Sequence, residues 1–95
     1  MALTLRCFAE AMRAAYLERD RERGLFETFS WLVEEVGELA EALRSGRHDR
    51  IREEVADVLA WTISIANLVG VDVEDAVLSK YGLDFKLAGC REGPS

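Results

Sequence analysis

Two short stretches, "EEVGELAEAL" and "EEVADVLA", set Glu35 three residues before Glu38 and Glu54 three residues before Asp57. Residues three apart on a helix share nearly the same face, so each stretch would aim a pair of carboxylates in one direction. Asp57 raises the sharpest question, because it sits between Ala56 and Val58 where the chain turns almost wholly apolar. An ionised carboxylate on such a surface needs water, a basic partner or a metal. Acids gathered at one place also raise one another's pKa values unless something compensates them. Arginines could do so, although imperfectly paired buried charge costs on the order of several kcal/mol. Mg²⁺ and Mn²⁺ offer another solution, since they prefer oxygen ligands and keep positions open for water or phosphate oxygens. On residue types and spacing alone, a metal site and a set of solvated acids both remain open for Glu35, Glu38, Glu54 and Asp57. Glu34, Glu41 and Glu53 read as solvated or paired to arginine.

Other metal chemistries find less support. A di-iron carboxylate bundle uses Glu-x-x-His pairs, and the sole histidine, His48, stands in a turn outside any such pair. Cys7 and Cys90 lie near opposite ends without CxxC spacing, which suits free thiols in a reducing compartment and gives no soft zinc site.

The acids need helices to hold them, and the apolar spacing provides these. Leu5, Phe8, Met12 and Tyr16 keep helical spacing in a first helix that should end at Gly24. Thr28 or Ser30 then offers an N-cap for a second helix from about Phe29 to Arg44, with Leu32, Val36, Leu39 and Leu43 on its stripe. Gly46 is the expected C-terminal cap, and Asp49 the next N-cap. A third helix from about Arg50 to Leu68 is apolar around most of its circumference, so it should be central and touch more than one neighbour. Gly70 closes it, and Asp72 with Asp75 forms a variant capping box for a fourth helix ending near Gly82, with a weaker continuation through "LDFKLAG". Residues 89–95 read as a frayed tail. The expected fold is one all-α domain over residues 1–95, a helical bundle whose two middle helices form an antiparallel hairpin. In that hairpin Glu38 and Glu54 lie nearer the turn, Glu35 and Asp57 deeper.

Composition sets the limits around this picture. Ninety-five residues with 49% hydrophobic and 32% charged positions suit a folded domain rather than a disordered chain. So short a chain has limited core of its own, and self-association is expected to complete it. Net charge is -6, from 18 acids against 12 bases, which argues against binding a nucleic-acid polymer. A small phosphorylated ligand is still admitted, because a divalent cation reverses the local sign. The amino-terminal segment lacks a secretory apolar region, and no stretch reads as a membrane span, so a cytoplasmic location is expected.

Taken together, "EEVGELAEAL" and "EEVADVLAWTISIANLVGVDVEDAVLSKY" closely resemble the MazG-like family of all-α nucleoside triphosphate pyrophosphohydrolases. The family's ExxE, spacer, ExxD pattern falls on Glu35, Glu38, Glu54 and Asp57, and the resemblance runs from about Phe29 to Tyr81. It implies Mg²⁺-dependent, or Mn²⁺-dependent, cleavage between the α and β phosphates of an NTP or dNTP, with those four acids as the metal-binding and catalytic set. It also implies a homodimer or a dimer of dimers, and a basic phosphate contact in the region of Lys80. A solvated lysine at a helix C-terminus is the plainer reading of Lys80. Trp31 and Trp61 lie one turn from Glu35 and Asp57 and could stack on a base, although packing is the commoner use of tryptophan. Arg44, Arg47 and Arg50 around the turn either steer a triphosphate or balance nearby acids. Many relatives carry basic or asparagine-bearing segments after the fourth helix, for which Lys86 and Arg91 are the only substitutes here. The four acids alone do not separate this activity from phosphoribosyl-ATP hydrolysis. A non-catalytic oligomerisation or regulatory module is the alternative of a different class.

Overall fold

The computed structural model describes residues 3–82, and the expectations placed on Lys86, Cys90, Arg91 and the tail lie outside that range. The chain is all-α, with α1 over Leu5–Arg23, α2 over Leu25–Ser45, α3 over His48–Val69 and α4 over Val73–Tyr81. The most extensive interface is between α2 and α3, followed by that of α1 with α3. The helix with apolar residues on nearly every side is therefore the hub, as its composition requires.

Local chemistry explains most of the helix ends. Thr4 caps α1 by accepting a 3.0 Å hydrogen bond from the Cys7 amide. Asp72 does the same for α4, accepting from the Asp75 amide at 3.0 Å. That bond, together with Arg6, holds the Asp72 carboxyl below the usual aspartate range. Gly46 ends α2 with a positive φ of 69°, a conformation that L side chains resist.

Two expected caps are corrected. Helix α2 begins at Leu25 rather than near Phe29, because Gly24 alone makes the corner out of α1 with φ 91°. Thr28 and Ser30 thus lie inside α2, where their hydroxyls donate back to the Gly24 and Phe26 carbonyls at 2.7 and 3.1 Å. Helix α3 likewise begins at His48, so Asp49 stands in its first turn and not at the cap. There it faces the positive end of the helix dipole and pairs with Arg47 at 2.9 Å. The Arg47 hydrogen bond holds its carboxyl below the ordinary value.

α1 is tied to α3 by Asn67 Nδ2 donating to the Ala9 carbonyl at 3.1 Å. Arg6 joins α1 to the start of α4, with Asp72 and Glu74 oxygens at 3.2 and 3.1 Å. Among the described residues the buried hydrophobics are only Ala42, Ile63 and Ala66. Many large apolar side chains remain exposed, Phe29, Val33, Val36, Val55 and Leu59 among them. No single helix among the described residues is long and apolar enough to cross a membrane.

Candidate functional site

The α2–α3 interface brings the acids together. Glu35 on α2 meets Glu54 and Asp57 on α3, each offering a carboxylate oxygen within 4.8 Å of the others. Glu35 and Glu54 are half-buried and Asp57 is exposed, so the cluster opens to solvent on the Asp57 side. Helical spacing accounts for the two acids of α3, which lie three residues apart on one face. Packing of α2 on α3 adds the third.

The electrostatics record the crowding. The Glu35 carboxyl is pushed up to about 7, first by burial, then by a hydrogen bond with Glu54 and by the charges of Glu54, Asp57 and Glu38. Glu54 Oε2 is nonetheless buried without a hydrogen-bond partner. A carboxylate oxygen in that state normally finds a donor or a cation. An all-oxygen donor set with an orphaned buried oxygen fits a hard divalent cation, and among the described residues no soft ligand joins the cluster.

Glu38 is placed differently from its three companions. It shares the helix face of Glu35 and its charge reaches Glu35, but its carboxylate lies 3.7 Å from Arg50 and outside the tight cluster. Of the arginines around the turn, Arg50 thus balances an acid across the helix interface, while Arg47 balances Asp49. Glu34, Glu41 and Glu53 are exposed.

Trp31 and Trp61 stack on each other, with ring centroids 6.0 Å apart and planes inclined by 15°. Each lies one helical turn from an acid of the cluster, so the indole pair forms the next layer of the same interface. Trp31 remains 41% exposed, which leaves ring surface open to a ligand. Lys80 is not brought to the carboxylates. It is exposed in the last turn of α4, which packs on α1, and its ammonium lies 5.8 Å over the Tyr81 ring.

One group of residues is not evident from the sequence alone. Asp20, Arg23 and Thr28 form a sheltered polar cluster at the α1–α2 corner, with Arg23 lying 4.9 Å over the Trp61 ring. The only local signal was the i, i+3 acid–base spacing in "DRER", which on most helices marks solvated charge.

Comparison with known proteins agrees with this geometry. Residues 25–82 match the family model of the MazG nucleotide pyrophosphohydrolase domain. The dATP/dGTP diphosphohydrolase of Cyanophage S-2L is 41% identical over 68 residues, which is 72% of this chain and 59% of that protein. The chain thus spans about three fifths of the length of this curated relative. The matched segment contains all of α2, α3 and α4, and with them both acidic pairs, so the chain belongs to the MazG nucleotide pyrophosphohydrolase domain family.

Proposed function

We propose that the protein is a divalent-cation-dependent pyrophosphohydrolase that converts a nucleoside triphosphate and water to a nucleoside monophosphate and pyrophosphate. The observation that carries this reading is the convergence of Glu35, Glu54 and Asp57 within 4.8 Å, with an unpartnered buried oxygen among them. In the reaction the water oxygen bonds to the α phosphorus, and the bridging oxygen leaves with pyrophosphate. Glu35, Glu54 and Asp57 would hold Mg²⁺, with Mn²⁺ a substitute, and Glu38 is the proposed fourth carboxylate. When bound, the cation supplies charge neutralisation for the phosphates and acidifies water. The protein's own part is to gather oxygen donors that would otherwise repel, and to offer an aromatic face for the base beside them.

We infer that helices α2 and α3 form an antiparallel hairpin. Along α2 from Trp31 through Glu35 to Glu38, the partners on α3 run backward from Trp61 through Glu54 to Arg50. This order supports the acids' placement at one level of the hairpin. The test of activity is a panel of nucleotides with Mg²⁺, led by dATP and dGTP, on which the phage relative is named as acting. Stoichiometric pyrophosphate and monophosphate are expected from at least one. Orthophosphate as the sole inorganic product, or no turnover of any of them, overturns the assignment. A dedicated phosphoribosyl-ATP enzyme would leave the common nucleotides intact and hydrolyse phosphoribosyl-ATP when it is added to the panel.

A second copy of the chain is the proposed cover for the exposed apolar surface. Phe29, Val33 and Val36 follow helical spacing on α2, as do Val55 and Leu59 on α3, and all five are 43–54% exposed. Large apolar side chains left exposed along two packed helices suit an interface, and a helical domain this short gains core by pairing. Leu59→Glu should reduce the mass measured by light scattering to that of a monomer and lower the melting temperature. An unchanged oligomer with Leu59→Glu and Val33→Glu combined would remove this face from the assembly.

A further inference from the structure

Asp20 is a buried charge with no place in the proposed chemistry. It is 3% exposed, and the neighbouring Thr28 is fully buried. Arg23 Nη1 donates to Asp20 Oδ1 at 2.8 Å and approaches Thr28 Oγ1 at 3.5 Å. The Thr28 hydroxyl in turn donates to the Gly24 carbonyl at 2.7 Å. The guanidinium is thereby tied to the α1–α2 corner through Asp20, with the Thr28 hydroxyl beside it.

Sheltered ion pairs contribute little net stability compared with well-packed apolar groups, so stability alone is a weak reason for this one. What it fixes is direction. The guanidinium carbon lies 4.9 Å from the centroid of Trp61, within cation–π range. Trp61 also borders a cavity of about 270 Å³ between α1 and α3, lined further by Met12, Tyr16, Ala60 and Ser64. That cleft is half open, so the Trp61 ring is not closed in by packing on that side. Arg23 also lines it and lies over the Trp61 ring. A planar fork anchored at Asp20 restrains the ring, whereas a free side chain would swing with it.

We propose that Arg23, anchored by Asp20, is a positioning residue that fixes the Trp61 ring and so presents the Trp31–Trp61 stack to the base of a bound nucleotide. The inference rests on the nucleotide reading given above, and it adds a determinant of nucleotide affinity separate from the carboxylates. Arg23 touches neither the cation ligands nor the phosphates in this account. Its loss should therefore weaken nucleotide binding while leaving cation binding and the chemical step largely intact.

The experiment compares wild type, Arg23→Met, Arg23→Lys and Asp20→Asn by near-ultraviolet circular dichroism, Mn²⁺ titration and steady-state kinetics with dATP or whichever nucleotide is turned over. Arg23→Met should lose about half or more of the tryptophan signal and raise KM about tenfold, with kcat changed less than about threefold. Mn²⁺ affinity should stay within about twofold of wild type, since no carboxylate of the cluster is touched. Arg23→Lys keeps the charge opposite Asp20 without the planar stack, and should raise KM about threefold to fivefold. A folded Arg23→Met protein with the wild-type tryptophan spectrum overturns the proposal, as does a loss of Mn²⁺ affinity in step with KM. If Arg23→Met does not fold, Arg23→Lys decides, and a wild-type spectrum with wild-type KM overturns it. If wild type hydrolyses no nucleotide, that failure belongs to the functional assignment, and the tryptophan spectra of the variants still decide whether Arg23 sets the ring.

Discussion

Asp57→Asn should abolish pyrophosphate release, by about a hundredfold to a thousandfold, while leaving the protein folded. The substitution keeps the shape of the side chain and removes its charge, and the exposed position of Asp57 means that no packing is lost. Two neighbouring carboxylates remain, so the metal-free protein should be as stable as wild type or more so, since one source of repulsion at Glu35 is gone. The contrast appears when Mn²⁺ is added. Wild type should gain about 2.7 kcal/mol of stability at a cation concentration 100 times its dissociation constant, and the variant much less. A non-catalytic helical module predicts no stabilisation by cation in either protein. Thermal melts with and without Mn²⁺, run beside the hydrolysis assay, therefore distinguish the two accounts. Full activity in the variant would take Asp57 out of the site.

The stability of the metal-free protein should fall as pH rises from about 4.5 to about 7. Glu35 titrates near 4.5 when unperturbed and is pushed up to about 7 in the fold, chiefly by burial and by the neighbouring Glu54. The folded state therefore binds this proton more tightly than the unfolded chain. Below 4.5 both states are protonated and the group contributes nothing to the difference. Through the window the folded state holds the extra proton, so raising the pH favours unfolding, and above 7 the penalty is complete. Solvent reaches the half-buried cluster and screens it, which puts the loss at about 1–2 kcal/mol. Glu35→Gln should flatten the profile, raise metal-free stability at pH values above the window, and weaken Mn²⁺ binding. Urea denaturation of both proteins across this pH range measures the effect. A wild-type profile that rises with pH, or a variant with the same slope as wild type, contradicts the picture of crowded acids.

Much of this architecture is visible in the sequence wherever the cause is local. Gly46 and Gly70 end helices because a left-handed residue is needed there, and Asp72 caps because its oxygen reaches an amide three residues on. Glu54 and Asp57 share a face through spacing alone, and their meeting with Glu35 follows from the two helices packing together. The start of α2 is harder to read, because the Thr28 hydroxyl has the chemistry of a cap and is used instead inside the helix. Glu38 shows the limit of spacing. It lies on the right face, but whether it meets the other acids or Arg50 depends on how α2 is aligned along α3. The same alignment brings Trp31 and Trp61 into one stack, where each could be placed separately beside an acid. Asp20 and Arg23 lie beyond local reading altogether, since only the docking of the α1–α2 corner turns an ordinary charged helix end into a sheltered pair.

The most direct test is a crystal of the protein soaked with Mn²⁺ and a non-hydrolysable nucleoside triphosphate, with data collected at the manganese absorption edge. An anomalous peak should lie about 2.0–2.4 Å from carboxylate oxygens of Glu35, Glu54 and Asp57, in contact with phosphate oxygens of the nucleotide. Well-ordered nucleotide with no such peak, or with its manganese bound away from these three side chains, would contradict the account.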